Sequence, residues 1–219
     1  VSALVLFRSW RSVMGGAGAL GLLFGTVVSL LNGASWSLLT PLSLVAGVGW
    51  SWAAAGVAMG VLATNARRAA AASVVFLVMA VWAYYAIDLA NGVYRTLDRT
   101  DPAYMTDPAH ARTITDWSSL FSDLVVWSLS AVLLGALLGL IGWGAHRRDL
   151  AGLLSRLVVP VGALAEMMMR LNAELVIQPR PVAVVTFTLV GVVAVITAGI
   201  FIAGHIGRWR APAPPRHVG

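Results

Sequence analysis

In Phe76-Leu-Val-Met-Ala-Val-Trp-Ala-Tyr-Tyr-Ala-Ile-Asp88-Leu-Ala-Asn91, a helix of membrane length runs into an acid. From Phe76 to Ile87 every residue is apolar or aromatic, and the run extends back through alanines to Ala69. About 20 such residues span a hydrocarbon core. A carboxylate there costs about 2.5–3.5 kcal/mol on insertion scales. It is tolerated when protonated, paired or turned toward a polar cavity. Asp88 is therefore either a satisfied structural acid or the working group of a site within the membrane.

The rest of the chain repeats this texture. Of 219 residues, 59% are hydrophobic and 11% charged, and the mean hydropathy is +0.84. A soluble domain carries about 25% charged residues, so the composition predicts an integral membrane protein. The expected fold is all-α, a single transmembrane domain over 1–210 with six spans. These are Met14–Asn32, Leu42–Ala63, Ala69–Gly92, Ser118–Gly144, Leu150–Met169 and Pro181–Ile206, followed by a short Pro-rich tail, 211–219. Pro41 and Gly47 are expected to break the start of the second span, and Pro160 to kink the fifth or be accommodated by its neighbours.

Charge sets the orientation. All fifteen basic residues are arginine, which excludes lysine Schiff-base chemistry and suggests a GC-rich genome. Arg8 and Arg11 precede the first span, Arg67 and Arg68 join the second to the third, and Arg147 and Arg148 join the fourth to the fifth. Arg208, Arg210 and Arg216 follow the sixth. The positive-inside rule then places both termini in the cytoplasm and the polar loop from Val93 to Asp116, with Pro102 and Pro108, outside. The net charge of +6 lies in short loops and implies no nucleic-acid partner. The opening residues, Val1 to Arg8, carry no signal-peptide pattern. The expected location is the cell membrane, as a multi-pass protein, with the lipid bilayer as its medium.

The same topology gathers the polar groups in the outer half. Asp88, Asp123 and Glu166 all fall there, as candidate catalytic acids. Tyr84 and Tyr85 flank Asp88 one turn before it, and Asn91 follows three residues on. Asp116, Ser119, Asp123, Trp127 and Ser130 form a polar stripe on the fourth helix. Trp50, Trp82, Tyr84, Tyr85, Asn91 and Trp127 are the candidate substrate-binding residues of an acidic, aromatic pocket. Alternatives stand beside each. Glu166 has Arg170 one turn away as a neutralising partner, neighbouring hydroxyls suit Asp123, and the tryptophans suit interfacial anchoring or packing. Three Gly-x-x-x-Gly pairs, Gly21/Gly25, Gly56/Gly60 and Gly135/Gly139, allow close helix contact inside the chain or, as a lesser reading, a homo-oligomer.

Several chemistries are missing. There is no cysteine, hence no disulfide or thiolate metal site. No phosphate-binding loop, His-Glu-x-x-His or Gly-x-Ser-x-Gly occurs. Neither cofactor nor metal is expected. The scattered histidines, His110, His146, His205 and His217, make no metal pattern.

Gly21-Leu-Leu-Phe-Gly-Thr-Val-Val-Ser29, Gly49-Trp-Ser-Trp52, Ala83-Tyr-Tyr85, Gly135-Ala-Leu-Leu-Gly139 and Pro160-Val-Gly-Ala-Leu-Ala-Glu166 resemble a group of small actinobacterial multispan proteins of unassigned function. More distantly, in size, acids and aromatics, the chain resembles membrane-bound terpene cyclases. That likeness implies a lipophilic prenyl substrate protonated by Asp88, with Glu166 or Asp123 tuning it and the aromatic side chains lining the cation path. The alternative is a transporter subunit or accessory protein that binds a small molecule without catalysis.

Overall fold

The computed structural model describes residues 10–210 except 35, 108 and 178, and leaves undescribed the side chains of Arg208, Trp209 and Arg210. The opening segment with Arg8, the residue Pro108 and the Pro-rich tail 211–219 lie outside the described residues.

The chain is a helical bundle. Among the described residues, five helices are long and apolar enough to cross a membrane: α1 (Trp10–Gly33), α4 (Ala66–Ala90), α6 (Trp117–Gly144), α7 (Leu150–Ile177) and α8 (Pro181–Arg210). The expected second span is not one straight helix. A 3-10 turn, Ser37–Leu39, leads into α2 (Thr40–Ala46); the chain breaks at Gly47-Val48 and resumes as α3 (Gly49–Val61). The two pieces are bent by 60°, so the count is six only if this pair is one span. Pro41 sits at the start of α2, where its missing N–H costs nothing. Gly47 is the C-cap of α2, and Val48 is extended before α3. Pro160, in contrast, lies inside α7 without interrupting it, and α7 runs past Met169 to include Arg170 and Glu174.

The polar loop is more ordered than its composition predicts. It holds an antiparallel pair, β1 (Arg95–Leu97) with β2 (Thr113–Thr115), and a short α5 (Ala103–Thr106). Asn91 caps the end of α4 and Gly92 takes φ 76°. The Gly92 N–H donates to Leu89 O and the Val93 N–H to Asp88 O, the paired bonds of a Schellman stop. Asp98 accepts from the Thr100 N–H and hydroxyl and from the Arg112 guanidinium. Asp101 accepts from the Ala103 and Arg112 N–H groups. These contacts hold Asp98 at about 2, below its usual 3.8, first through the Thr100 hydroxyl and then through Arg112.

α4 is the centre, packed by α1, α6 and α3, while α7 and α8 form a hairpin that leans on α2 and α3. Small residues set this spacing. A Cβ on Gly21 would overlap the Phe76 carbonyl, and one on Gly25 the Ala80 carbonyl. Gly60 meets Gly139, Gly139 meets Ala69, and Gly56 meets Ser73 and Leu138. All three Gly-x-x-x-Gly pairs are thus filled within the chain, and a homo-oligomer through those faces would require the bundle to open. The outward surfaces of α6 and α8 are rich in exposed Leu, Val and Ile, as lipid-facing surfaces should be.

Candidate functional site

The break between α2 and α3 opens a cavity of about 340 Å³. Gly49 at the start of α3 borders it together with Ser130 and Leu134, midway along α6. α1 adds Val28 and Asn32, and α4 adds Leu77, Val81, Tyr84 and Tyr85. Trp52 of α3 and Trp127 of α6 complete an aromatic lining. Trp127 and Leu134 line the cavity and are also each 54% exposed. The cavity therefore meets the outer surface of the bundle along α6.

The rings form one chain of contacts. Phe24 meets Trp52 edge-on at 5.2 Å, Trp52 meets Tyr84 at 6.1 Å, and Tyr84 meets Tyr85 at 5.4 Å. Tyr85 in turn lies 6.2 Å from Tyr94, which belongs to the polar loop. Such edge-to-face pairs place positive ring edges on negative ring faces.

The three candidate acids are not brought into one cavity, which corrects the expected acidic pocket: its walls are aromatic and apolar, and the acids stand behind them or beside them. Asp88 is 9% exposed between α1 and α4. It accepts a 2.5 Å hydrogen bond from the Ser29 hydroxyl and interacts with the Tyr84 hydroxyl. Tyr84 also accepts from Asn32 Nδ2 at 3.2 Å. Ser29 and Tyr84, the latter held by Asn32, thus give Asp88 neutral polar partners rather than an arginine. Asp123 accepts from the Tyr94 hydroxyl at 2.9 Å, which ties the loop to α6. Burial and this carboxylate both push the Tyr94 phenol above its ordinary value.

Glu166 has a different surrounding. Its carboxylate, on α7, accepts the Gly49 N–H at 3.1 Å and the Trp50 N–H at 2.8 Å. It also pairs with Arg170 at 2.8 Å. Val48 offers α3 no side-chain cap, so an acid from another helix supplies it. The first N–H groups of any helix need acceptors, and in an apolar setting water cannot be relied on for them. Glu166 thereby makes the break in the second apolar run possible. The spacing to Arg170 is legible in the sequence; the contact with Gly49 and Trp50, more than a hundred residues away, is not.

The remaining candidates divide. Tyr84, Tyr85 and Trp127 line the cavity. Trp50 packs with Val48, Met167 and Phe187 between α3, α7 and α8. Trp82 is 55% exposed and donates to the Ser128 hydroxyl at 3.1 Å, on the outside of the α4–α6 seam. Asn91 ends α4 and is exposed. Three residues beyond the expected substrate-binding set join the site. Trp52 and Asn32 enter because the helix break and α1 face α4, and Tyr94 enters because the strand pair folds back over α6. A second, charged crevice between α2, α7 and α8 contains Arg170, Glu174 and Arg180. There Glu174 accepts the Arg180 N–H and guanidinium and closes the α7–α8 turn.

No protein-family model, curated protein or solved structure matches the chain, so the reading of this site rests on its geometry.

Proposed function

We propose that this chain is a membrane protein that binds a lipophilic small molecule in the cavity at the α2–α3 break, admitting it sideways from the bilayer. The observation that carries the reading is the lining itself. Trp52, Tyr84, Tyr85 and Trp127 surround a volume of ligand size, about 340 Å³, open along α6. Asn32 and the Tyr84 hydroxyl supply the polar end. A photoreactive prenyl alcohol in nanodiscs tests this. Crosslinks are expected at Trp52 and Trp127 and are expected to vanish in Ala53→Phe, which fills the cavity. Label spread evenly over the outward face of α8 would refute it.

The proposed topology is six spans, the bent pair forming the second, with both termini cytoplasmic. The arginine-rich links 64–68 and 145–149 support it, as does the strand-bearing loop at the opposite helix ends. The chain's lack of cysteine makes a clean background. A membrane-impermeant maleimide should label Arg99→Cys in intact cells and Thr64→Cys only after permeabilisation.

Acid-initiated cyclisation of a prenyl substrate is the second reading. The aromatic lining favours it, because ring faces stabilise carbocations. Asp88 meets the cavity only through Tyr84, which is why binding takes precedence. Cyclised product from geranylgeranylated acceptors would support catalysis, and full activity in Asp88→Asn would remove Asp88 as its proton donor.

A further inference from the structure

The cavity has a sign. Among the described residues, no arginine or histidine lines it. Behind its tyrosines stand Asp88 and Asp123, and neither makes an ion pair among the described residues. Their hydrogen-bond donors, Ser29 and Tyr94, are neutral hydroxyls. Tyr85 lies against Tyr84 and Tyr94, the tyrosines that meet these two acids, and its own hydroxyl has no hydrogen-bond partner among the described residues. At the opposite border, Glu166 lies against Gly49, but Arg170 neutralises it. Among the described residues, the ionisable groups near the cavity that lack an ion-pair partner are therefore both acids, and they stand at its Tyr84–Tyr85 end.

Two independent forces then favour the same ligand. A carboxyl group without an ion-pair partner in a low-dielectric setting ionises most readily when a cation arrives to pair with it, so it rewards a cationic ligand over a neutral one. The faces of Trp52, Tyr84, Tyr85 and Trp127 attract cations through their quadrupoles and disfavour anions. We propose that the preferred ligand is a lipophilic organic cation, a substituted ammonium with an aromatic or branched apolar body. Its charge sits among Tyr84, Tyr85 and Trp127, and its body lies along Leu77, Leu134 and Leu138. This rests on the cavity being a ligand site, and it adds the charge of the ligand.

Tritiated benzyltrimethylammonium and its neutral carbon isostere, neopentylbenzene, separate the two claims. Binding of each is measured to the full chain in nanodiscs, with empty nanodiscs subtracted. The expected result is a preference for the cation of about tenfold or more. The double variant D88N/D123N should cut that preference to the smaller part that the aromatic faces supply and leave the neutral probe's affinity unchanged. Should that variant misfold, Trp127→Leu, at an exposed position, should weaken the cation more than the isostere. Equal affinities in the wild type, or tighter binding of the isostere, would overturn the charge assignment while leaving the cavity reading intact. Binding of neither probe would overturn both.

Discussion

Replacing Glu166 by alanine should destabilise the bundle at the α2–α3 break rather than silence a proton donor. The carboxylate accepts two backbone N–H bonds and one guanidinium. A hydrogen bond to a charged group contributes about 1.5–3 kcal/mol. Gly49 borders the cavity, so water can replace the bond there in part. The Trp50 N–H, held in the packed seam of α3 and α7, has less recourse. The ion pair adds little, about 1 kcal/mol or less, because the Glu166 and Arg170 side chains are 23% and 43% exposed. The expected loss for Glu166→Ala is therefore about 2–3 kcal/mol. Glu166→Gln keeps an oxygen acceptor for one N–H and should lose about half as much. Arg170→Ala, which leaves both N–H bonds in place, should cost about 0.5–1 kcal/mol. Unfolding midpoints in mixtures of dodecyl maltoside and SDS would rank the three. A Glu166→Ala within about 0.5 kcal/mol of the wild type, or an Arg170→Ala as costly as Glu166→Ala, would refute the capping role.

Further outcomes follow from other contacts. Gly25→Ala should lower the same midpoint by about 1–3 kcal/mol or more, because the added Cβ meets the Ala80 carbonyl. Gly199→Ala, with open space around it, should be neutral or slightly stabilising. Tyr94→Phe removes the bond to Asp123 and should speed protease cleavage between 95 and 115 while changing global stability by no more than about 1.5 kcal/mol. Asp98 has a depressed value in the fold, so its stabilising contribution is complete above its ordinary 3.8 and is lost as pH falls toward about 2. The protection of the Thr100 N–H, its exchange rate relative to an unstructured amide at the same pH, should accordingly stay high at pH 5 and fall between about pH 4 and 2. Unchanged protection across that window would sever the link between the Asp98 carboxylate and the order of the loop.

The long spans were legible in the sequence because a helix in hydrocarbon satisfies its own backbone, so length and apolarity suffice to identify it. α1, α4, α6, α7 and α8 follow directly. The Gly-x-x-x-Gly pairs could be read as contact surfaces, but not which helices they would meet. Likewise Tyr84, Tyr85 and Trp127 could be placed near one another by depth and spacing. Trp82 had the same depth and composition, yet faces outward, since its face of α4 is fixed by how α4 sits against α6.

By itself the sequence determined a helical chain long and apolar enough to cross a membrane, a polar loop, and a costly acid at Asp88. Each of these depends on local quantities: hydropathy, helix period and the charge of a single residue. Tertiary structure decided what surrounds the acids. Ser29 and Tyr84 enclose Asp88, Tyr94 reaches Asp123, and Glu166 caps the start of α3 across 116 residues of chain. It also decided that the cavity is aromatic, with Asp88 and Asp123 behind its wall. Those partners come from other elements, and the energy of a buried carboxylate depends on the groups that close around it in space.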